Sequence, residues 1–362
     1  MDSPVIAPMQ ISPQLPNEPV ATPCFVIYED GVRHNLQQTV KACGGIERLM
    51  PHVKTHRSPW ITELCIAQGV TAFKCATNAE VEMVLAAGAK KVTWSYPTVN
   101  PVNVHRFVEA ARRYSDAKLT GLVDSERGLE VWRHELRDGP PNVDLRVDLD
   151  PGLHRTGAPM TDAAIGLARG LHGMGRLAGW HIYDGHVKGN RAERQAQVDA
   201  IAEKVRALQA ALAKDGIATD AVAGGSYTFN LWPRDLARYV SPGSWTYSSA
   251  QHDIELADLG WVPAAFVLST VMSTHQATVT LDAGAKAVSP DKPLAERFRW
   301  ADGRIVLMNE EHTVVESARL AVGDRVLLMP MHACTTAYLY PDALVKTSAG
   351  RWEHRPQLGS LR

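Results

Sequence analysis

Lys54 stands in the segment Leu49-Met50-Pro51-His52-Val53-Lys54-Thr55-His56-Arg57-Ser58-Pro59, at the abrupt end of an apolar run. The spacing predicts a buried strand from Ile46 to Val53 and a helix from Pro59 to about Gln68, with Ser58 as N-cap and proline at the first helical position. A lysine at the C-terminal end of a strand, just ahead of a helix, sits on the rim where barrels and open α/β sheets carry their chemistry. Once desolvated, such an amine loses its proton and acts as a nucleophile or Schiff-base former. A solvated loop lysine would look the same locally, so the other polar groups have to decide.

Several of them fall at strand ends. His56 accompanies Lys54; Asp148, Asp150, His154 and Arg155 follow a later apolar run; Tyr183, Asp184 and His186 follow the next. Gly224-Gly225-Ser226 and Ser241-Pro242-Gly243-Ser244 close the two after that. Turns of this kind offer backbone N–H groups and hydroxyls to a phosphate, at the place where barrels commonly bind one. A Gly/Ser turn is often only a turn. Together with a rim lysine, however, the pair suggests a phosphorylated aldehyde held as an imine, which is pyridoxal phosphate. Near the C-terminus, His332-Ala333-Cys334 in an extended segment would turn imidazole and thiolate the same way, two ligands for a catalytic zinc with open positions. A buried cysteine beside a chance histidine reads the same. Asn309-Glu310-Glu311-His312 offers a further ligand or second partner, or else a charged hairpin turn.

The elements that must position these groups alternate. Strands are expected at Ala72–Ala76, Lys91–Ser95, Lys118–Val123, Val143–Leu149, Leu177–Ile182, Thr219–Ala223 and Tyr239–Val240. Between them fall helices capped by Asn78 and Ser125, one over Asn100–Arg113, one over Thr161–Leu171 and a long one over about Arg191–Ala213. Seven or eight strand–helix units over about 200 residues indicate a (β/α)8 TIM-like barrel. No Gly-x-Gly-x-x-Gly follows the first strand, which weighs against a dinucleotide-binding open sheet. After about residue 255 short runs rich in Val, Thr and Leu are separated by Gly, Asp and Pro turns, the pattern of an antiparallel β domain. Phe25–Tyr28 reads as a strand that returns to that sheet. The expected organisation is an N-terminal arm over 1–20, a barrel over 30–250, and a β domain built from 21–29 and 251–362.

Of 362 residues, 45% are hydrophobic and 21% charged, which excludes a disordered chain. A net charge of −1 gives no handle on nucleic acid or an acidic membrane. Five scattered cysteines are no disulfide framework and suit the cytoplasm. The stretch to Pro23, with prolines at 4, 8, 13, 16, 19 and 23, reads as an extended arm rather than a secretory signal. No apolar run approaches the roughly 18 residues that span a bilayer.

Pro51-His52-Val53-Lys54-Thr55-His56 resembles the cofactor-lysine segment of D-threonine aldolases and eukaryotic-type D-serine dehydratases. Asp148-Leu149-Asp150-Pro151-Gly152-Leu153-His154-Arg155-Thr156-Gly157 is similar to their fifth-strand motif, shared with alanine racemases. Tyr183-Asp184-Gly185-His186, Gly224-Gly225-Ser226, Asn309-Glu310-Glu311-His312 and Pro330-Met331-His332-Ala333-Cys334 follow in the same order, so the resemblance covers about residues 20–345. It implies a fold type III, alanine-racemase-like barrel with a C-terminal β domain, usually a homodimer. It also implies pyridoxal 5'-phosphate on Lys54, with Arg155 at the ring and Tyr183 flanking it. Ser226, Gly243 and Ser244 would then hold the phosphate, with His52, Gly225 and Tyr227 in the same shell. A divalent metal (Mn2+, Zn2+ or Mg2+) would sit on His332 and Cys334. The chain departs from the family where Tyr227 replaces a proline, and where Ser244-Trp245-Thr246-Tyr247 lacks a common aspartate.

The expected reaction is retro-aldol cleavage of D-β-hydroxy-α-amino acids to glycine and an aldehyde, with Lys54 and His186 as catalytic residues and His186 the base on the β-hydroxyl. The alternative is dehydration to an oxo acid and ammonia, which His-x-Cys favours, whereas Tyr-Asp-Gly-His favours the aldolase. A non-catalytic cofactor carrier would need only the barrel. A racemase would need a second proton-transfer residue on the opposite face.

Overall fold

The computed structural model describes residues 13–300 and 303–362, so the first twelve residues of the expected 1–20 arm lie outside the described residues. The chain divides into two compact units. One comprises Val40–Lys54 and Pro59–Gly243 with Arg362; the other comprises the described residues before Val40, those of Ser244–Leu361, and Thr55–Ser58.

In the first unit the strands Phe73–Cys75, Lys91–Trp94, Lys118–Val123, Val143–Asp150, Leu177–Ile182, Asp220–Ala223 and Ala237–Val240 lie side by side in that order. All are parallel to their neighbours. Such strands must be covered on their outer face, and the intervening helices do this. The expected strand over Ile46–Val53 is not continuous. A 3-10 turn over Ile46–Arg48 precedes it, another over Val53–Thr55 ends it, and two single bridges remain, Leu49 to Val240 and His52 to Lys74. Pro51, which has no N–H to give, sits in the middle and limits the ladder on both sides. The segment still closes the ring. Met50 N–H donates to the Val240 carbonyl and Lys74 N–H to the Pro51 carbonyl, both at 3.0 Å.

Helix starts follow local capping. Asn100 Oδ1 accepts from Val102 N–H ahead of Pro101–Arg113, and Ser125 Oγ accepts from Gly128 N–H ahead of Glu126–Glu135. Asn190 and Glu193 form a reciprocal capping box on Arg191–Ala213. The cap of Asn78–Ala86 is Thr77, one residue before the expected Asn78: its hydroxyl accepts from Glu80 N–H. Helices pack on the sheet through large rings, with Trp94, Phe107 and Trp132 at centroid distances of 5.2 to 6.4 Å. Gly121 lies under Trp132, where a Cβ would come within 2.4 Å of the indole.

The second unit is a largely antiparallel sheet. Ile305–Met308, Thr313–Glu316, Thr278–Leu281, Ala265–His275, Cys24–Tyr28, Asp342–Lys346 and Trp352–Pro356 follow one another across it. Arg325–Pro330 pairs with Ala265–His275 as well as with Phe298–Arg299. Cys24–Tyr28 is antiparallel to Ala265–His275 and parallel to Asp342–Lys346, and its side chains join Phe266, Leu268 and Leu344 in one core. The helix Glu29–Cys43 and the two last strands had not been expected from sequence.

Candidate active site

Tyr183, just past the Leu177–Ile182 strand, gathers three cations. Arg155 Cζ lies 4.7 Å from its ring centroid, Lys54 Nζ 5.7 Å and Lys74 Nζ 5.9 Å. Lys54 is exposed, so the desolvation expected of it falls on Lys74, which is 2% exposed. Burial first, then the charge of Lys54, brings the Lys74 ammonium down to about 7 against the pull of Asp148 and Asp184.

Imidazoles line the same unit. His52 is buried; its Nδ1 faces Lys54 N–H at 3.4 Å, its Nε2 faces Ser95 Oγ at 3.4 Å, and burial pushes it well below the usual range. His181 Nδ1 lies 2.6 Å from Asp148 Oδ1, whose Oδ2 accepts from the Thr156 hydroxyl at 3.0 Å. Burial, then Lys74, lowers His181 to about 4, so the ring is neutral with Nδ1–H donated to Asp148. Its Nε2 is a buried acceptor with no partner among the described residues.

Two turns flank Tyr183. Asp150 Oδ1 accepts from Gly152 and His154 N–H, both at 2.9 Å, and its Oδ2 meets His154 Nδ1 at 2.7 Å. Those amides hold the Asp150 carboxyl down despite its burial and fix the loop that delivers Arg155. His186 borders the same loop: a Cβ at Gly152 would sit 3.4 Å from its Nε2, and its Nδ1 is buried without a partner among the described residues. On the other side, Gly224 takes φ +80°, and a Cβ at Gly225 would come within 2.9 Å of the Tyr183 ring. The turn is pinned from below. Thr228 Oγ1 accepts from Gly225 N–H at 3.1 Å and donates to Asp184 Oδ1 at 2.7 Å, while Trp232 Nε1 donates to Asp184 Oδ2 at 2.9 Å. Asp184 is raised by burial although both bonds oppose this. Ser226 Oγ accepts from Gly243 N–H at 3.3 Å. Tyr227 turns to other partners: Lys188 Nζ lies 3.2 Å from its ring centroid, and its carbonyl accepts from Arg194 at 2.6 Å.

The second unit holds the remaining expected residues. Ser244 opens the 3-10 turn Ser244–Thr246, its carbonyl accepting from Ser248 N–H at 3.0 Å. His332-Ala333-Cys334 is not extended. His332 is the N-cap residue of the short helix Ala333–Ala337, because the chain turns as it leaves the Arg325–Pro330 strand. The two side chains meet nevertheless. Burial works against a charged His332, yet hydrogen bonds to Cys334 and Asp291 hold it up, at about 9. Cys334 Sγ also lies 3.3 Å from Thr55 Oγ1. Among the described residues no three His, Cys, Asp or Glu side chains form a group that would hold a metal ion. Glu310 and Glu311 pair with Lys286 in an exposed turn, so the charged hairpin is the reading that holds there. His56 accepts from Ser58 N–H at 3.0 Å and is lowered by burial to about 3, a structural role.

Lys74 and His181 escaped the sequence reading. The available signal was a titratable residue inside an apolar strand, Ala72-Phe73-Lys74-Cys75-Ala76 and Leu177-Ala178-Gly179-Trp180-His181-Ile182, in a sheet whose outer face is covered.

A parallel barrel with a rim lysine, together with a separate antiparallel unit in the same chain, is a fold type III architecture, and the chain belongs to the family described as "Alanine racemase, N-terminal domain", which it matches over residues 27–251. Residues 264–346 match a second family, "Putative serine dehydratase domain". The chain is similar to 3-hydroxy-D-aspartate aldolase of Paracoccus denitrificans (strain Pd 1222), 26% identical over 351 residues, covering 91% of this chain and 89% of the relative. It is also similar to D-threo-3-hydroxyaspartate dehydratase of Delftia sp. (strain HT23), 28% identical over 360 residues, covering 88% and 92%. The crystal structure of D-threonine aldolase from Filomicrobium marinum shares the fold, with a TM-score of 0.82 at 24% identity over 94% of this chain and 95% of that one.

Proposed function

We propose that the chain is a pyridoxal-phosphate-dependent lyase that cleaves D-β-hydroxy-α-amino acids between Cα and Cβ, giving glycine and an aldehyde. The observation that carries the reading is the ring of Tyr183 with Lys54 and Arg155 around it, beside a glycine turn that any Cβ at position 225 would obstruct. These residues fit a flat, anionic aldehyde: an exposed amine to bond it, an aromatic face, a guanidinium, and the Gly225-Ser226 and Gly243-Ser244 turns with their serine hydroxyls for a phosphate. When bound, the cofactor would supply an electron sink for the charge left at Cα.

The protein's own groups do the rest. Lys54 would hold the cofactor through Nζ and, when that amine is free, would carry a proton on it. Tyr183 and Arg155 fix the ring plane, and Asp150 fixes Arg155 through the loop amides. His186 takes the β-hydroxyl proton as Cα–Cβ breaks. His332 and Cys334 offer nitrogen and sulfur donors for a divalent ion (Mn2+, Zn2+ or Mg2+), with Asp291 on the imidazole as outer partner. Such an ion would make the β-hydroxyl proton easier to lose.

Dehydration is the second reading, supported by the match over residues 264–346 and by the Delftia relative. Product analysis with D-threonine and D-3-hydroxyaspartate decides. Glycine with an aldehyde supports cleavage; an oxo acid with ammonia supports dehydration; neither product, on protein carrying the cofactor and supplied with Mn2+ or Zn2+, removes both. On the same reading residues 30–250 form the cofactor barrel, residues 21–29 and 251–362 form the metal-bearing β domain, and the enzyme works as a cytoplasmic homodimer. Five free thiols agree with a reducing compartment, and among the described residues no helix is long and apolar enough to cross a membrane.

A further inference from the structure

Lys74 lies on the Phe73–Cys75 strand between two residues that are each 0% exposed. Alternation puts Phe73 and Cys75 on one face of the sheet and Lys74 on the other, the face toward Tyr183. Fully buried lysines are almost always paired. This one is not: among the described residues neither a hydrogen bond nor an ion pair reaches its Nζ. The carboxylates whose charge it feels are spoken for. Asp148 gives one oxygen to His181 and the other to Thr156; Asp184 gives its two to Thr228 and Trp232. The other groups facing Lys74 are the cations Lys54 and Arg155 and the neutral imidazoles of His52 and His181. Three basic side chains, Lys54, Lys74 and Arg155, therefore border one ring with no carboxylate bonded to Lys74 Nζ, a setting that suits an oxyanion.

Strand order indicates which oxyanion. The Gly224–Ser226 turn and Gly243 follow the Asp220–Ala223 and Ala237–Val240 strands, on one side of the segment 49–52. Lys74 belongs to the strand on the other side of that segment. It therefore belongs to neither of the strands that lead into the turns that suit a phosphate, although Lys74 and Gly225 both border the Tyr183 ring. We propose that Lys74 holds the carboxylate of the amino-acid substrate. The proposal rests on the reading of Lys54 as the cofactor lysine. It has a consequence that a merely structural lysine would lack. With Lys74 near 7 when empty, the amine is largely neutral at pH 8, and a bound carboxylate draws a proton onto it; at pH 6 the proton is already there.

The probe is D-3-hydroxybutyrate, a β-hydroxy acid without the amine that would react with the cofactor. Its binding to cofactor-loaded protein is measured by calorimetry in two buffers of different ionisation enthalpy, at pH 8 and pH 6. Wild type is expected to take up protons at pH 8 and far fewer at pH 6. Lys74→Met should bind at least about tenfold more weakly with no proton uptake, and Lys74→Arg should bind within a few-fold of wild type, also without uptake. Unchanged binding in Lys74→Met, no uptake by wild type at pH 8, or no measurable binding by wild type overturns the proposal. Loss of the cofactor absorbance band in folded Lys74→Met assigns the oxyanion to the cofactor and overturns it too. If Lys74→Met does not fold, Lys74→Arg decides: uptake that persists there overturns the proposal. A missing cofactor band in wild type is a separate failure, that of the Lys54 reading, and takes this proposal with it.

Discussion

Thr228→Val tests how the turn beside Tyr183 is held. The substitution keeps the shape and removes one oxygen that makes two buried bonds. Gly225 N–H loses its acceptor at 3.1 Å, and Asp184 Oδ1 loses a donor at 2.7 Å. Leaving a buried amide unpaired costs about 1–3 kcal/mol, and a bond to a charged group contributes about 1.5–3 kcal/mol. The barrel unit should therefore lose about 3 kcal/mol, which for a unit of this size lowers Tm by roughly 6–12 °C. Thr228→Ser keeps the hydroxyl and gives up one methyl, worth about 1 kcal/mol. Paired melts by far-ultraviolet circular dichroism measure the difference. The pH dependence has a defined sign. Burial raises Asp184 in the folded state, so its contribution to stability is full below the unfolded value and falls as pH rises through the folded one. A protonated Asp184 needs the lost donor less, so the cost of Thr228→Val should shrink as pH falls through the raised folded-state range of Asp184. Valine and serine variants that melt within about 1 kcal/mol of each other would show that the Thr228 hydroxyl does not hold the turn.

Gly225→Ala drives a Cβ into the Tyr183 ring, at 2.9 Å before relaxation, and should cost about 1–3 kcal/mol while weakening the cofactor. An unchanged melt and an unchanged cofactor titration would contradict this. Asp150→Ala frees the Gly152 and His154 amides and should cost about 1–2 kcal/mol, with faster hydrogen exchange at residues 152–155 as the local readout. Gly121→Ala places a Cβ against Trp132 and should destabilise by about 1–3 kcal/mol without changing the cofactor spectrum, separating packing from the site.

The barrel was legible because its strands are apolar runs of ordinary length, each followed by a helix: Ser125 announces one directly, while Asn100, read as the first residue of its helix, is its cap. The cap at Thr77 was missed by one residue since Thr77 and Asn78 are both good caps, and only the hydroxyl bond to Glu80 distinguishes them. The segment 46–53 misled because hydrophobic content signals burial but not pairing, and Pro51 interrupts the pairing. Glu29–Cys43 was overlooked for its polar surface; the buried positions Val32, Leu36, Asn35, Thr39 and Cys43 repeat at intervals of four and would have revealed it. Asn35 is among them because both ends of its amide bond the backbone of Val262, a long-range partner that local patterning does not contain. The rim residues Lys54, Arg155 and Tyr183 stood out because polar groups at strand ends invite attention. Lys74 and His181 did not, since each sits one register inside an apolar run and only closure of the ring brings it to the site.

Lys54 is the proposed point of attachment of the cofactor. Borohydride reduction of protein loaded with pyridoxal phosphate, followed by digestion and mass mapping, reads the attachment point directly. The expected result is one reduced adduct, on the peptide containing Lys54, absent from Lys54→Ala together with the absorbance band near the visible edge. An adduct on Lys74, whose buried amine near 7 makes it the strongest competitor, or no adduct on any lysine, would contradict the account.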